Sequence, residues 1–281
     1  MNRRKQIKLI LKSIADCIIG LVCIVLCLGP ILWSISTSLK KSNEVLTYPP
    51  TLIGSEIVLD QYRDITAAGF LGFMKNSSLY ALAAIVLGLV LGSVAAYGFD
   101  RFKIKGGKIL FFLVVASIPM SIGSSSVLIP TYLYLSDLNL INTWYVLPIL
   151  YAVYNLPMSI WILKGSYEAI PRSIDDAARI DGCSNFVVFW RVVLPLAKPG
   201  IISAAMFLFI GAWNDYLTGS VMVTSTSLRT IQFSIYSYLG FFGREWGKLT
   251  AAASLALIPV ILLFVVLGRH LISGLTKGSV K

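Results

Sequence analysis

Six long apolar runs, near 10–38, 74–98, 109–135, 143–164, 196–222 and 249–272, follow one another along the 281 residues with polar segments between them. A helix that crosses the hydrocarbon core of a bilayer needs about 20 mostly apolar residues, and each run has that length. The chain therefore reads as all-α and polytopic, with six transmembrane helices. Hydrophobic residues make up 57% of it at a mean hydropathy of +0.80, beyond the roughly 45–50% of a soluble domain. No stretch is left for a separate folded soluble domain, so 1–281 reads as one membrane domain. The first run follows "MNRRKQIKLILK" and is too long, with no small-residue cleavage site, for a removable signal peptide. It is expected to stay as the first span.

Basic residues stay on the cytoplasmic side of a membrane, and that fixes an expected orientation. With the N-terminus inside, only seven of the 24 Lys and Arg fall in outer segments: Lys40, Lys41, Arg63, Lys75, Arg229, Arg244 and Lys248. Both termini and the polar segment at 165–195 are then cytoplasmic. The net charge of +11 is explained by this topology, and nucleic acid is not an expected partner. Cys17, Cys23 and Cys27 lie in the first run and Cys183 in the polar segment, a spacing that suggests neither a metal site nor a disulfide framework.

Residues 173–200, "SIDDAARIDGCSNFVVFWRVVLPLAKPG", set a polar helix–turn–helix between two hydrophobic runs. Ser173 is placed to cap a helix, with Asp176 three residues on completing a box-like arrangement at the positive helix end. That helix is expected to run through Ile180. Gly182 permits the turn that ends it, and Ser184 is placed to cap a second helix. Phe186, Phe189, Trp190 and Val193 are expected on one face of it, and Pro195 to stop it. Ile174, Ala177 and Ala178 make a small-residue surface that allows another backbone to approach closely. Small and acidic together suit docking.

The pattern Asp176-Ala177-Ala178, three residues, Gly182, then a distant Leu194-Pro195 resembles the "EAA" loop of binding-protein-dependent ABC importers. "SIPMSIGSSSVLIPTYLYLSDLNLINTWYVLPILY" before it, "FIGAWNDYL" after it and the C-terminal "LISGLTKGSVK" extend the likeness. Over nearly the whole length the chain resembles the second permease subunit of maltose-type sugar importers. In that family the EAA loop is the coupling helix that seats in a groove of the ATPase. The resemblance thus implies ATPase-coupling roles for Asp176, Ala177, Ala178, Arg179, Asp181, Gly182 and Pro195. Asp176 stands where the family usually has glutamate, with the same charge and one methylene less reach. The resemblance also implies a second homologous permease, an ATPase dimer carrying ATP and Mg, an extracytoplasmic solute-binding protein, a sugar substrate, and the lipid of a prokaryotic cell membrane. Tyr236, Tyr238 and Phe241, in the aromatic-rich outer segment 224–248, are by the same resemblance expected to reach the binding protein.

The chain has no G-x-x-x-x-G-K-[ST] phosphate loop; "KIKGGK" at 103–108 lacks the spacing and the hydroxyl ligand. Hydrolysis is expected on a separate subunit, with no cofactor or metal in this one. An ion-coupled carrier needs ionisable groups near mid-membrane, yet Asp16 and Asp215 lie toward the ends of their runs. An intramembrane enzyme needs a nucleophile with a base or a metal, and the sole histidine, His270, sits at the inner end of the last run. A sugar pathway calls for hydrogen-bonding groups and flat aromatic faces. Tyr151, Asn155 and Met158 in the fourth run, Trp213, Asn214 and Asp215 in the fifth, and Ser124 and Ser125 in the third are the candidates. An importer for a polyol or glycerophosphate-type solute is the alternative within the class.

Overall fold

The computed structural model of the chain describes residues 3–121, 125–240 and 245–276. The elements are α1 (Arg3–Ser38), α2 (Asp60–Ala67), α3 (Phe70–Arg101), α4 (Gly107–Ala116), α5 (Ile118–Ser121), α6 (Ser125–Asp137) and α7 (Val146–Glu168). There follow α8 (Arg172–Ile180), α9 (Asn185–Val188), a π-helical turn at Phe189–Val193, α10 (Leu194–Leu196), α11 (Lys198–Asn214), α12 (Leu217–Met222), α13 (Ile231–Ser237) and α14 (Trp246–Thr276). No strand occurs among the described residues.

Four helical stretches, Ser13–Ser38, Phe70–Arg101, Val146–Glu168 and Trp246–Gly268, are long and apolar enough to cross a membrane. A fifth arises if the pair Asn185–Leu196 and Lys198–Asn214, bent by 79°, is one span. The third apolar run does not form one long helix: α4 ends at Ser117, whose backbone N–H bonds the carbonyls of Leu113 and Val114, and α5 and α6 are short. The fifth run is two helices, α11 and α12, broken where Asp215 takes an extended backbone, with ψ 122, and its carboxylate accepts from the Thr218 and Gly219 amides of α12. Large apolar side chains such as Leu26, Ile109, Phe112 and Val265 are more than half exposed. In water such surface would be a liability, and in a bilayer it faces lipid tails.

The chain forms two compact units, residues 1–70 with 235–257 and residues 71–234 with 258–281. In the first, the segment after α1 is tied back on itself by the Val58 amide to the Leu39 carbonyl at 2.9 Å and by a Lys41–Glu56 ion pair at 2.7 Å. The Ser55 hydroxyl and amide both donate to Glu44 and hold its carboxyl below the ordinary range.

In the second unit, α3, α7 and α11 pack closely through small residues. Gly88 faces Leu208, Gly200 faces Ser166 and Gly211 faces Asn155, each so near that a Cβ would collide. Close approach through glycine is how membrane helices gain contact when lipid offers no hydrophobic drive. At one end of this unit the chain at 223–231 is pinned to the start of α3. Asn76 donates to the carbonyls of Ser227 and Arg229, Tyr80 to that of Leu228, and the Ile231 amide to Ser77 Oγ. At the other end a buried cluster of Ala96, Tyr97, Ile160, Leu163, Tyr167, Val188, Phe189 and Val193 carries the polar segment.

Candidate functional site

The polar segment folds as a helix, a turn and a second, irregular helix. α8 starts at Arg172, with Pro171 at the N-cap position and no side-chain cap bond. Ser173 therefore does not cap it: the helix begins two residues before the expected start, with the fixed φ of Pro171, −57, at its entry. Ile180 closes the helix as expected, and Gly182 adopts φ +85, a left-handed conformation that costs glycine nothing. Ser184 caps α9, its hydroxyl accepting from the Val187 amide at 3.4 Å.

The second helix departs from the expected single apolar face. Phe189 and Val193 are buried together with Val188, whereas Phe186 and Trp190 are 72% and 63% exposed. Phe186 and Trp190, four apart, share one side of the helix, and Phe189 and Val193 share another. The π-helical turn at Phe189–Val193 also alters the residue-to-angle relation, which a 3.6-residue period cannot anticipate. Pro195 does not stop the helix either. It lies within α10, and the sharp bend follows at Ala197.

The neighbouring acids of α8 part company. Asp176 projects outward, its side chain 66% exposed and paired with Arg179 at 3.4 Å. Asp175 turns inward and is 2% exposed. Its Oδ2 lies 2.7 Å from Arg101 Nε, and Arg101 Nη1 lies 2.9 Å from Asp100 Oδ2, with all three side chains almost wholly buried. Arg101 Nη2 also donates to the Ile170 carbonyl at 3.1 Å, and Arg172 Nη2 donates to the Asp100 carbonyl at 2.8 Å. Thus the C-terminal turn of α3 and the N-terminal turn of α8 are held by charge-assisted contacts in both directions. Ala177, Arg179, Asp181 and Gly182 are exposed and Ala178 is half-buried, which leaves the small-residue side of α8 open to a partner.

Residues 84–277, two thirds of the chain and all of this segment, match the family model of the binding-protein-dependent transport system inner membrane component. The chain belongs to that family. It is 31% identical to the diacetylchitobiose uptake system permease DasC of Streptomyces coelicolor, over 90% of this chain and 91% of that one. It is 28% identical to the trehalose/maltose transport system permease MalG of Thermococcus litoralis, over 97% and 98%. A solved chain from a bacterial ABC transporter that imports the acidic polysaccharide alginate shares its fold, with a TM-score of 0.78, 21% identity and coverage of 96% and 98%. The family consists of transport subunits, and membership brings an ATPase and a solute-binding protein as partners.

The other candidate residues fall as follows. Tyr151 and Asn155 are buried on α7, with Asn155 Nδ2 bonded to the Tyr151 carbonyl at 2.8 Å. The Tyr151 hydroxyl donates to Asp215 Oδ2 at 3.1 Å, and Asp215 also accepts from the amides of Thr218 and Gly219 and the Thr218 hydroxyl. Trp213 is buried and stacks on Phe209; Met158 is half-buried and Asn214 exposed. Tyr236 is exposed near the end of α13, and Tyr238 is half-buried beyond it. Ser125 opens α6, while Ser124 and Phe241 lie outside the described residues. The Asp100–Arg101–Asp175 cluster was missed in sequence. Its only trace there is an Asp-Arg pair closing one apolar run and an extra acid beside the Asp-Ala-Ala motif.

Proposed function

We propose that this chain is one of two homologous permease subunits of an ATP-driven, binding-protein-dependent importer of saccharides. The observation that carries the reading is the likeness along nearly the full chain to permeases named for diacetylchitobiose and trehalose/maltose uptake. The two permeases enclose the pathway, an ATPase dimer supplies the ATP and Mg chemistry, and a solute-binding protein delivers the sugar from outside. Both termini and the α8–α9 segment lie on the cytoplasmic side of a prokaryotic cell membrane, in keeping with the distribution of Lys and Arg. Six spans complete the bundle, the third made of α4 to α6 and the fifth of α11 and α12.

In this scheme α8 seats in the ATPase through Asp176, Ala177, Ala178, Arg179, Asp181 and Gly182, and Pro195 shapes the return into the membrane. Closure of the ATPases moves α8, and the spans swing the cavity from inward- to outward-facing. Ser124, Ser125, Met158 and Asn214 line the route, with Tyr151, Asn155, Trp213 and Asp215 setting the shape of its wall. Tyr236, Tyr238 and Phe241 meet the binding protein. A strain lacking the gene, assayed for uptake of labelled neutral oligosaccharides, acidic oligosaccharides and glycerophosphodiesters, tests the substrate class. Loss of uptake of one or more saccharides, restored by the gene, is expected. Loss confined to a glycerophosphodiester would overturn the saccharide assignment.

A further inference from the structure

The two acids that open the α8 motif face opposite ways, and only the exposed one is placed to meet another subunit. The buried one, Asp175, is spent within the chain on Arg101, the last residue of α3. Arg101 in turn holds Asp100 and the Ile170 carbonyl, and Arg172 reaches back to the Asp100 carbonyl. Two of these contacts, Asp175 with Arg101 and Arg172 with the Asp100 carbonyl, join one end of a 32-residue helix to one end of a nine-residue helix, and Arg101 also ties α3 to the Ile170 carbonyl just before α8. Removing one partner from a buried ion pair leaves an uncompensated charge, whereas removing both is tolerated far better. Losing a single member of such a joint is therefore costly.

Its surroundings point the same way. Tyr97, one turn before Arg101, packs edge-on against Tyr167 and Phe102 and lies 4.7 Å, centroid to centroid, from Phe189. The turn of α3 that bears the ion cluster thus also holds the end of α7 and the helix after α8. Both carboxylate oxygens of Asp175, Arg101 Nε, Asp100 Oδ2 and the Tyr97 hydroxyl are buried with no well-aligned hydrogen bond among the described residues, so the ion pairs between them hold through charge and proximity.

From this we infer that Asp175 and Arg101 form a latch that makes α8 and α3 move as one body, so that displacement of α8 by the ATPase is delivered to the span through this ion pair. Asp176 contacts the partner and Asp175 transmits. These are positioning residues, acting through the helix they hold. The inference rests on the proposed function, and a wild-type importer active in proteoliposomes is the control that separates the two. If the wild type fails to transport, the functional reading fails; if it transports and the variants below behave normally, the latch alone fails.

The test uses the complete importer with its binding protein, reconstituted with wild-type, Asp175→Asn, Arg101→Gln and the double variant, and reads ATPase retention and sugar moved per ATP hydrolysed. The single variants are expected to keep the ATPase bound and hydrolysing while sugar per ATP falls by about fivefold or more, the low end of typical coupling between sites. The double variant is expected to do no worse than the poorer single one, because Arg101→Gln alone leaves both Asp100 and Asp175 without their guanidinium, whereas the double variant leaves only Asp100 so. Asp175→Glu, which keeps the charge, is expected to recover part of the ratio. Wild-type ratios in the single variants, or losses that multiply in the double variant, would overturn the latch. Loss of the ATPase from Asp175→Asn would overturn it as well, since Asp175 would then build the docking surface instead of transmitting motion.

Discussion

Gly182 and Gly211 show two different reasons for a residue to have no side chain. At Gly182 a Cβ would meet no atom of the described residues within 4 Å, and the constraint is φ +85 alone. Gly182→Val is therefore expected to cost about 1–2 kcal/mol of backbone strain, and Gly182→Asn less, because asparagine visits this region more readily. Thermal unfolding in detergent should rank the two in that order. At Gly211 the backbone is ordinary helix, but a Cβ would press into the side chain of Asn155. Gly211→Ala is expected to push Asn155 off the Tyr151 carbonyl and to cost about 1–3 kcal/mol through overpacking; an unchanged midpoint would contradict the observed fit. Asp176→Lys is different again. Its carboxylate is exposed, its pair with Arg179 is of the surface kind worth about 0–1 kcal/mol, and as the fifth residue of α8 it lies past the first turn, where the helix dipole acts. Near-wild-type stability with loss of co-purifying ATPase is the expected outcome, and retention of the ATPase would contradict a contact role.

Among the elements, the breaks carry more information than the spans. Asp215 ends α11 and caps α12 while accepting the Tyr151 hydroxyl, so one side chain fixes both the break and its contact with α7. Asp215→Ala is expected to cost about 0.5–2 kcal/mol for the lost cap and a further 1–3 kcal/mol for a buried hydroxyl left unpaired. Tyr151→Phe, which leaves the cap intact, should cost less; equal midpoints for the two variants would argue against the shared role. In the segment after α1, Glu44 has its carboxyl held below the ordinary range by Ser55. That contribution is complete above the unfolded value and is lost as pH falls through the folded one, so the protection of amides at 44–58 relative to free-peptide exchange rates should fall on acidification below about pH 4. The apolar runs were legible because bilayer thickness sets their length, and the Gly182 turn because one residue type suits it. The breaks near 117 and 215, the π-helical turn at 189–193 and the opposed Asp175 and Asp176 were not legible. Each is decided by a partner far off in sequence, such as Arg101 for Asp175, or by backbone geometry that no 3.6-residue period describes.

At the scale of the whole molecule, the proposed function places ATP hydrolysis on another chain. The chain purified by itself is expected to hydrolyse no ATP above background, since nothing in its sequence provides the nest of backbone amides and the lysine that hold nucleotide phosphates. In the proposed assembly that other chain would cover Ile180, Phe186 and Trp190, which are 86%, 72% and 63% exposed. The most direct measurement is sugar accumulation in proteoliposomes containing this chain, its partner permease and the ATPase, with loaded binding protein added on the opposite side of the membrane from the ATP. The account predicts accumulation that requires ATP, binding protein and this chain together, and ATP hydrolysis that rises when the loaded binding protein is present. Equal accumulation without ATP, driven instead by an imposed proton or sodium gradient, would contradict it.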